Sequence, residues 1–147
     1  RFWIVYDLIP ERLPLVAMSM GLQLAPDVVA DVRPNGIRIV GERAGCWCVP
    51  GDSYGSVVVR TGETDPPAGW VSYRYGQIAP ATQLRLFPSR RAPVHAFLFD
   101  PNRDAHAVLP RLSAQRSARG GFALDIVECD GGTTRVSVAE GALVIST

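Results

Sequence analysis

Apolar residues recur at every second position through most of this chain, in short runs rich in β-branched side chains. A period of two is the repeat of a strand that buries one face, whereas a helix needs a repeat near 3.6. The pattern predicts strands at Phe2–Leu8, Leu15–Leu24, Val28–Arg33, Ile37–Glu42, Cys46–Val49, Ser56–Thr61, Gln83–Phe87, Val94–Phe99, Phe122–Glu128, Thr134–Ala139 and Leu143–Ser146. Turn chemistry separates them: Pro34-Asn35-Gly36 between two alternating runs predicts a hairpin, and Pro50-Gly51-Asp52, Asp130-Gly131-Gly132 and Glu140-Gly141 act similarly. Twelve prolines spread from Pro10 to Pro110 oppose any long helix. Only Ala105–Arg119 tolerates one, and Pro110 divides it. Many short strands at close spacing predict an all-β fold, an antiparallel β-sandwich or stacked β-sheets with short loops and little or no helix.

The 147 residues suffice for a single β domain with a sizeable core. A net charge of +1, with acids and bases interspersed, gives no electrostatic footprint for nucleic acid. No apolar run reaches the roughly 18 residues of a membrane-spanning helix. The chain opens on Arg1 and runs directly into Phe2-Trp3-Ile4-Val5-Tyr6 without an initiator Met, which reads as a piece cut from a longer protein. No targeting signal is visible in it.

Chemistry-bearing residues are sparse. Cys46 and Cys48 stand at i and i+2, facing one side of a strand and poorly placed for a mutual disulfide. A bridge from either to Cys129 is conceivable, but small buried hydrophobes are the simpler reading. His95 and His106 have no ligand spacing, so neither a metal nor a cofactor is implied. Cys46 with His95 can be drawn as a nucleophile–base pair only if the fold brings them together. Ser72 lacks the G-x-S-x-G context of a nucleophile elbow. His95 alternates with apolar neighbours and reads as a surface or satisfied core histidine. Asp100-Pro101-Asn102-Arg103-Asp104 has oxygen ligands but not the calcium-loop pattern, so a solvated turn is expected.

The long irregular stretch from Gly62 to about Thr82 contains Gly69-Trp70-Val71-Ser72-Tyr73-Arg74-Tyr75-Gly76. Loops of that length in compact domains are usually functional or disordered, and its aromatics argue against disorder. If residues 70–75 are extended, Trp70, Ser72 and Arg74 point one way and Val71, Tyr73 and Tyr75 the other. An indole, a hydroxyl and a guanidinium together suit a sugar ring bearing a carboxylate or sulfate: the aromatic packs on the ring and Arg pairs with the anion. The structural alternative is that Trp70 and one tyrosine plug a sandwich corner while Arg74 lies on the surface. One face must point inward, so both can hold.

The same segment resembles a signature of the β domain in heparinase II/III-like polysaccharide lyases, Gly-Trp-x-Ser-x-x-Tyr-Gly, followed by a proline, a leucine and a strand carrying a proline, a phenylalanine and a leucine. Gly69, Trp70, Ser72, Tyr75 and Gly76 match it, with Pro80, Leu84, Pro93, Phe97 and Leu98 following in order. Phe2-Trp3-Ile4-Val5-Tyr6-Asp7 is similar to the family's Trp-Leu-Ile-x-Asp strand. Gly21-Leu22-Gln23-Leu24-Ala25-Pro26 falls where members read aromatic-His-Leu-x-Pro. The likeness covers residues 1 to about 101; the remainder matches only in being β-rich.

The resemblance implies an N-terminal α/α toroid domain in the parent chain, followed by this β domain. It also implies β-elimination on an acidic, uronate-containing polysaccharide, and secretion or a periplasmic or cell-surface location. A base removes the C5 proton, an acid protonates the departing O4, and polar groups neutralise the carboxylate. In the family a tyrosine and an Asn or His come from the toroid, and a histidine comes from the β domain. Gln23 holds that histidine's place here and cannot act as a base; the metal-binding histidines of some relatives are not evident either. The piece alone is therefore expected to be inactive, with Trp70, Tyr73, Arg74 and Tyr75 as substrate-binding candidates. The alternatives are a non-catalytic carbohydrate-binding or interaction module and a purely structural β domain. The last would bury one face against a helical partner and leave an exposed apolar patch at Phe2–Ile9 when alone.

Overall fold

The computed structural model describes residues 2–9, 14, 18–92, 94–116, 121–139 and 142–147. Arg1, the start of the Leu15–Leu24 run, Pro93, the end of the Ala105–Arg119 run and the Glu140-Gly141 turn lie outside the described residues. Among those described the chain is all-β, with sixteen strands: β1 Trp3–Leu8, β2 Met20–Gln23, β3 Val29–Arg33, β4 Gly36–Val40, β5 Gly45–Pro50, β6 Tyr54–Thr61, β7 Glu63–Thr64, β8 Pro67–Ala68, β9 Trp70–Arg74, β10 Gln77–Pro80, β11 Thr82–Pro88, β12 Val94–Asp100, β13 Arg111–Arg116, β14 Phe122–Val127, β15 Thr133–Ala139 and β16 Ala142–Ser146. No helix is long and apolar enough to cross a membrane among these residues.

Three antiparallel sheets stack. The middle one has five strands in the order β1-β12-β5-β4-β3, flanked by a three-stranded sheet, β2-β11-β6, and a four-stranded sheet, β13-β14-β15-β16. Because successive side chains point to opposite faces, the middle sheet buries both. On one face Trp47, Val49, Val94, Ala96 and Leu98 meet Leu112, Phe122, Leu124, Ile126 and Val136 of the four-stranded sheet. On the other, Ile37, Ile39, Cys48 and Phe97 meet Leu84 and Leu86 of the three-stranded sheet. This double burial explains why β12 reads almost continuously apolar instead of alternating. The predicted Pro34-Asn35-Gly36 hairpin joins β3 to β4, with Arg33 facing Gly36. Cys46 and Cys48 share a face as expected, and all three cysteines are unbridged.

Two expectations are corrected. Residues 111–116, inside the helix-tolerant run, form β13, because pairing with β14 places Leu112 opposite Ile126 in the core. A six-residue strand with an apolar partner outcompetes a helix already split by Pro110. The stretch from Gly62 to Thr82 is not irregular: β7 pairs with β8 and β9 with β10, two short hairpins inserted between β6 and β11.

β1 is an edge strand. Trp3 and Leu8 are both more than 60% exposed, and Val5 and Tyr6 are also open, so the Phe2–Ile9 segment presents the expected apolar patch. Tyr6 is partly covered by the Phe122 ring, with 4.9 Å between centroids.

Candidate functional site

The β9–β10 hairpin is an arm fastened at its foot. The Gly69 carbonyl accepts hydrogen bonds from the Gly62 and Ala81 amides, both at 2.8 Å, which gathers the ends of the insertion beside Thr61 and Thr82. Gly62 and Gly69 have φ of +62° and +70°, a conformation that L side chains rarely adopt. The Trp70 indole is half-buried at this foot and donates to the Glu63 carbonyl at 2.7 Å. Trp70 thus braces the arm as one part of the corner reading anticipates, but neither Tyr73 nor Tyr75 is buried with it.

Beyond the foot the side chains open to solvent. Tyr73 is 64% exposed, Tyr75, in the turn before Gly76, is fully exposed, and the neighbouring Arg74 is exposed too. Ser72 Oγ donates to the Arg74 carbonyl at 2.9 Å and stiffens the tip. Of the four candidates, then, Tyr73, Arg74 and Tyr75 stand together on the free end, while Trp70 is set apart at the base.

The arm rises from the end of a sheet whose outer face was not legible in the sequence. Gln23 lies opposite Gln83, which lies opposite Arg60, so the three share one face across the three-stranded sheet. In the row beyond, Gly21 and Val58 flank Arg85. Arg85 lies over the Phe87 ring at 5.7 Å and donates to Ser19 Oγ at 3.1 Å. Arg60 approaches Glu63 at 3.6 Å. Arm and face together present three guanidiniums, two side-chain amides and two exposed phenols. Gln23 is where the family histidine was expected; its amide donates to the Thr82 carbonyl at 3.3 Å and, more weakly, to that of Leu24 at 3.4 Å. It can hold a neighbour but not take a proton.

The other candidates separate cleanly. Cys48 pairs with Phe99 across β5 and β12, which leaves Cys46 and His95 about 20 Å apart along the strands. Burial pushes the Cys48 thiol up to about 12, and Cys46 is raised by burial and by Asp100, so neither is a ready thiolate. In the 100–104 segment, Asp100, Asn102 and Asp104 oxygens accept from the amides of Asn102, Asp104 and His106 in turn. That is a chain of side-chain-capped turns, and among the described residues no three metal-ligating side chains gather.

His95 is a core histidine, one of the two settings the pattern left open, but only one of its ring nitrogens is satisfied. It is 3% exposed and points from β12 toward the three-stranded sheet, with Nδ1 2.9 Å from Ser53 Oγ and Nε2 without a partner. Burial lowers its pKa from the ordinary value; Asp7 opposes this and Arg90 reinforces it. The unfolded chain therefore takes up a proton near pH 6.5 while the folded chain still resists it. Within that window stability rises with pH, so it is lost as pH falls below about 6.5 toward the lower folded value. Urea midpoints measured at pH 7.5 and pH 5.5 are expected to drop in the wild type. The drop should be clearly smaller in His95→Phe.

No protein-family model matches the chain, and no curated protein or solved structure matches it either.

Proposed function

We propose that this chain is the C-terminal β-sheet domain of a heparinase II/III-like polysaccharide lyase, and that the arm and the outer face of the three-stranded sheet meet an acidic, uronate-containing polysaccharide. The observations that support the reading best are the exposed Tyr73, Arg74 and Tyr75 on a free hairpin end and the row of Gln23, Gln83 and Arg60, with Arg85 beyond it, on the outer face of the sheet from which the hairpin rises. Guanidiniums pair with carboxylate or sulfate oxygens, amides reach hydroxyls, and phenol rings take the C–H face of a sugar. In this reading the proton transfers belong to the N-terminal toroid of the parent protein. Its contact with this domain would cover the exposed side chains of β1, and the protein would be secreted, periplasmic or held at the cell surface.

Arg74→Ala in the full-length protein should lower turnover of acidic oligosaccharide, read as the ultraviolet absorbance of the unsaturated uronate product. The expected loss is roughly tenfold or more in kcat/KM, as for removal of one charge-assisted hydrogen bond of about 1.5–3 kcal/mol. Unchanged kinetics would remove Arg74 from the site.

A second reading, a carbohydrate-binding module without catalysis, is favoured by Gln23. Its amide is engaged with backbone carbonyls and supplies no base. Product formation by the full-length protein separates the two: the lyase yields unsaturated uronate and the module only retains glycan.

A further inference from the structure

A cavity of about 210 Å³ opens between β1, β2 and β12, and none of the arm residues borders it. Its polar lining includes Asp7, Ser19 and Tyr54, and its apolar lining includes Ile9, Met18 and Met20. Roughly 10–15 Å³ suffices for one water, so there is room for a ligand of several heavy atoms. Asp7 stands opposite His95 in the β1–β12 register, so both project to the side of the middle sheet that faces the three-stranded sheet.

His95 supplies only wall. Its Nδ1 is engaged with Ser53 Oγ and its Nε2 is buried, so neither nitrogen is offered to a ligand. The other three polar groups are available. Among the described residues the Asp7 carboxylate has no ion pair and accepts no hydrogen bond. The Tyr54 hydroxyl has no partner there either, and it is not sealed off. Burial raises the Tyr54 phenol far above its ordinary value and the nearby Asp7 charge adds to this, so the group stays a neutral hydroxyl. Ser19 Oγ accepts from Arg85 at 3.1 Å and keeps a second lone pair. The guanidiniums close by are committed elsewhere, Arg85 to Ser19 and the Phe87 ring, Arg90 to Asp52. The cavity therefore combines an unpaired carboxylate, two hydroxyl oxygens and an apolar wall.

We infer that this cavity binds a primary alkylammonium ion, whose N–H groups donate to the Asp7 carboxylate, Tyr54 Oη and Ser19 Oγ and whose chain packs on Ile9, Met18 and Met20. An ammonium carries three donors and no acceptor, which matches the three acceptor groups. An alcohol of the same length brings one donor and leaves the Asp7 charge uncompensated. A quaternary ammonium brings the charge without N–H, and a carboxylate is repelled by Asp7. Met18 and Met20 are unbranched and adapt to the chain. Met20 and Tyr54 pack on the inner cluster of the three-stranded sheet, whereas the glycan face is its outer side, so the two sites stand or fall separately.

The test titrates the chain, labelled with ¹⁵N and at its methionine methyls, with n-butylammonium, n-butanol, n-butyltrimethylammonium and butyrate at one ionic strength near neutral pH. n-Butylammonium should shift the Met18 and Met20 methyl signals and the Asp7 amide. Its affinity should be roughly tenfold above that of each other probe, as for one charge-assisted hydrogen bond. Asp7→Asn, a change at an exposed position, should bring n-butylammonium down to the level of n-butanol. Tyr54→Phe, which removes only the hydroxyl, should weaken n-butylammonium roughly three- to tenfold. If Asp7→Asn does not fold, Tyr54→Phe and the four probes on the wild type decide. Equal responses to n-butylammonium and n-butanol, undiminished n-butylammonium binding in Asp7→Asn, or a cavity that takes only water would overturn the assignment.

Discussion

Gly69→Ala is expected to destabilise this protein by about 2–5 kcal/mol, the sum of roughly 1–2 for a side chain in the left-handed region and 1–3 for overpacking. A Cβ at position 69 would stand 2.6 Å from both the Arg60 carbonyl oxygen and the Thr61 Cα, and neither is the end of a flexible side chain. The chain must therefore move at the place where Gly69 receives the two amide bonds that close the arm's foot. Gly76 is the internal control: its φ of +74° is similar, but a Cβ there meets nothing within 4 Å. Gly76→Ala should cost only the conformational part, about 1–2 kcal/mol. Chemical denaturation of both variants, followed with the Trp70 indole N–H resonance, separates the contributions. A Gly69→Ala variant no weaker than Gly76→Ala would mean that the foot is not closely packed.

Phe97→Ala should cost about 3–5 kcal/mol, the range for emptying a fully buried aromatic site. Phe97 is completely inaccessible in the middle sheet, packed with Ile37, Cys48, Leu84 and Leu86 and 4.6 Å from the Tyr54 ring centroid. Layers on both sides of β12 limit collapse into the vacated volume, which places the cost toward the upper end. Tyr75→Ala at the exposed tip should change stability by no more than about 0.5 kcal/mol. Urea midpoints report both, and a Phe97→Ala loss below about 1 kcal/mol would contradict the three-layer packing.

The layers themselves were legible wherever one residue in two was apolar. Strands such as β4, Gly36–Val40, and β14, Phe122–Val127, announced themselves, and Pro34-Asn35-Gly36 marked its hairpin. The arm was not read as strands, because β9 and β10 bury little and carry no apolar alternation. Their pairing depends on backbone turns at Gly62, Gly69 and Gly76. β13 was obscured because Arg111, Gln115 and Arg116 suit a helix as well as a strand, and only the partner β14 decides. The row of Gln23, Gln83 and Arg60 joins residues distant in sequence, so it exists only through register. His95 is buried, where the pattern left surface and core open. Its unsatisfied Nε2 depends on the distant Ser53 and Asp7, which sequence spacing does not bring together.

The central claim, that the arm and the face beside it meet an acidic glycan, is tested most directly by titrating the ¹⁵N-labelled chain with a uronate-containing oligosaccharide and with the same oligosaccharide after its carboxylates are reduced to alcohols. The proposal predicts perturbation of the Tyr73, Arg74 and Tyr75 amides and of the Gln23 and Gln83 side-chain amides, markedly weaker with the reduced ligand because the guanidiniums lose their anion. No perturbation at these residues, or an equal response to both ligands, would contradict it.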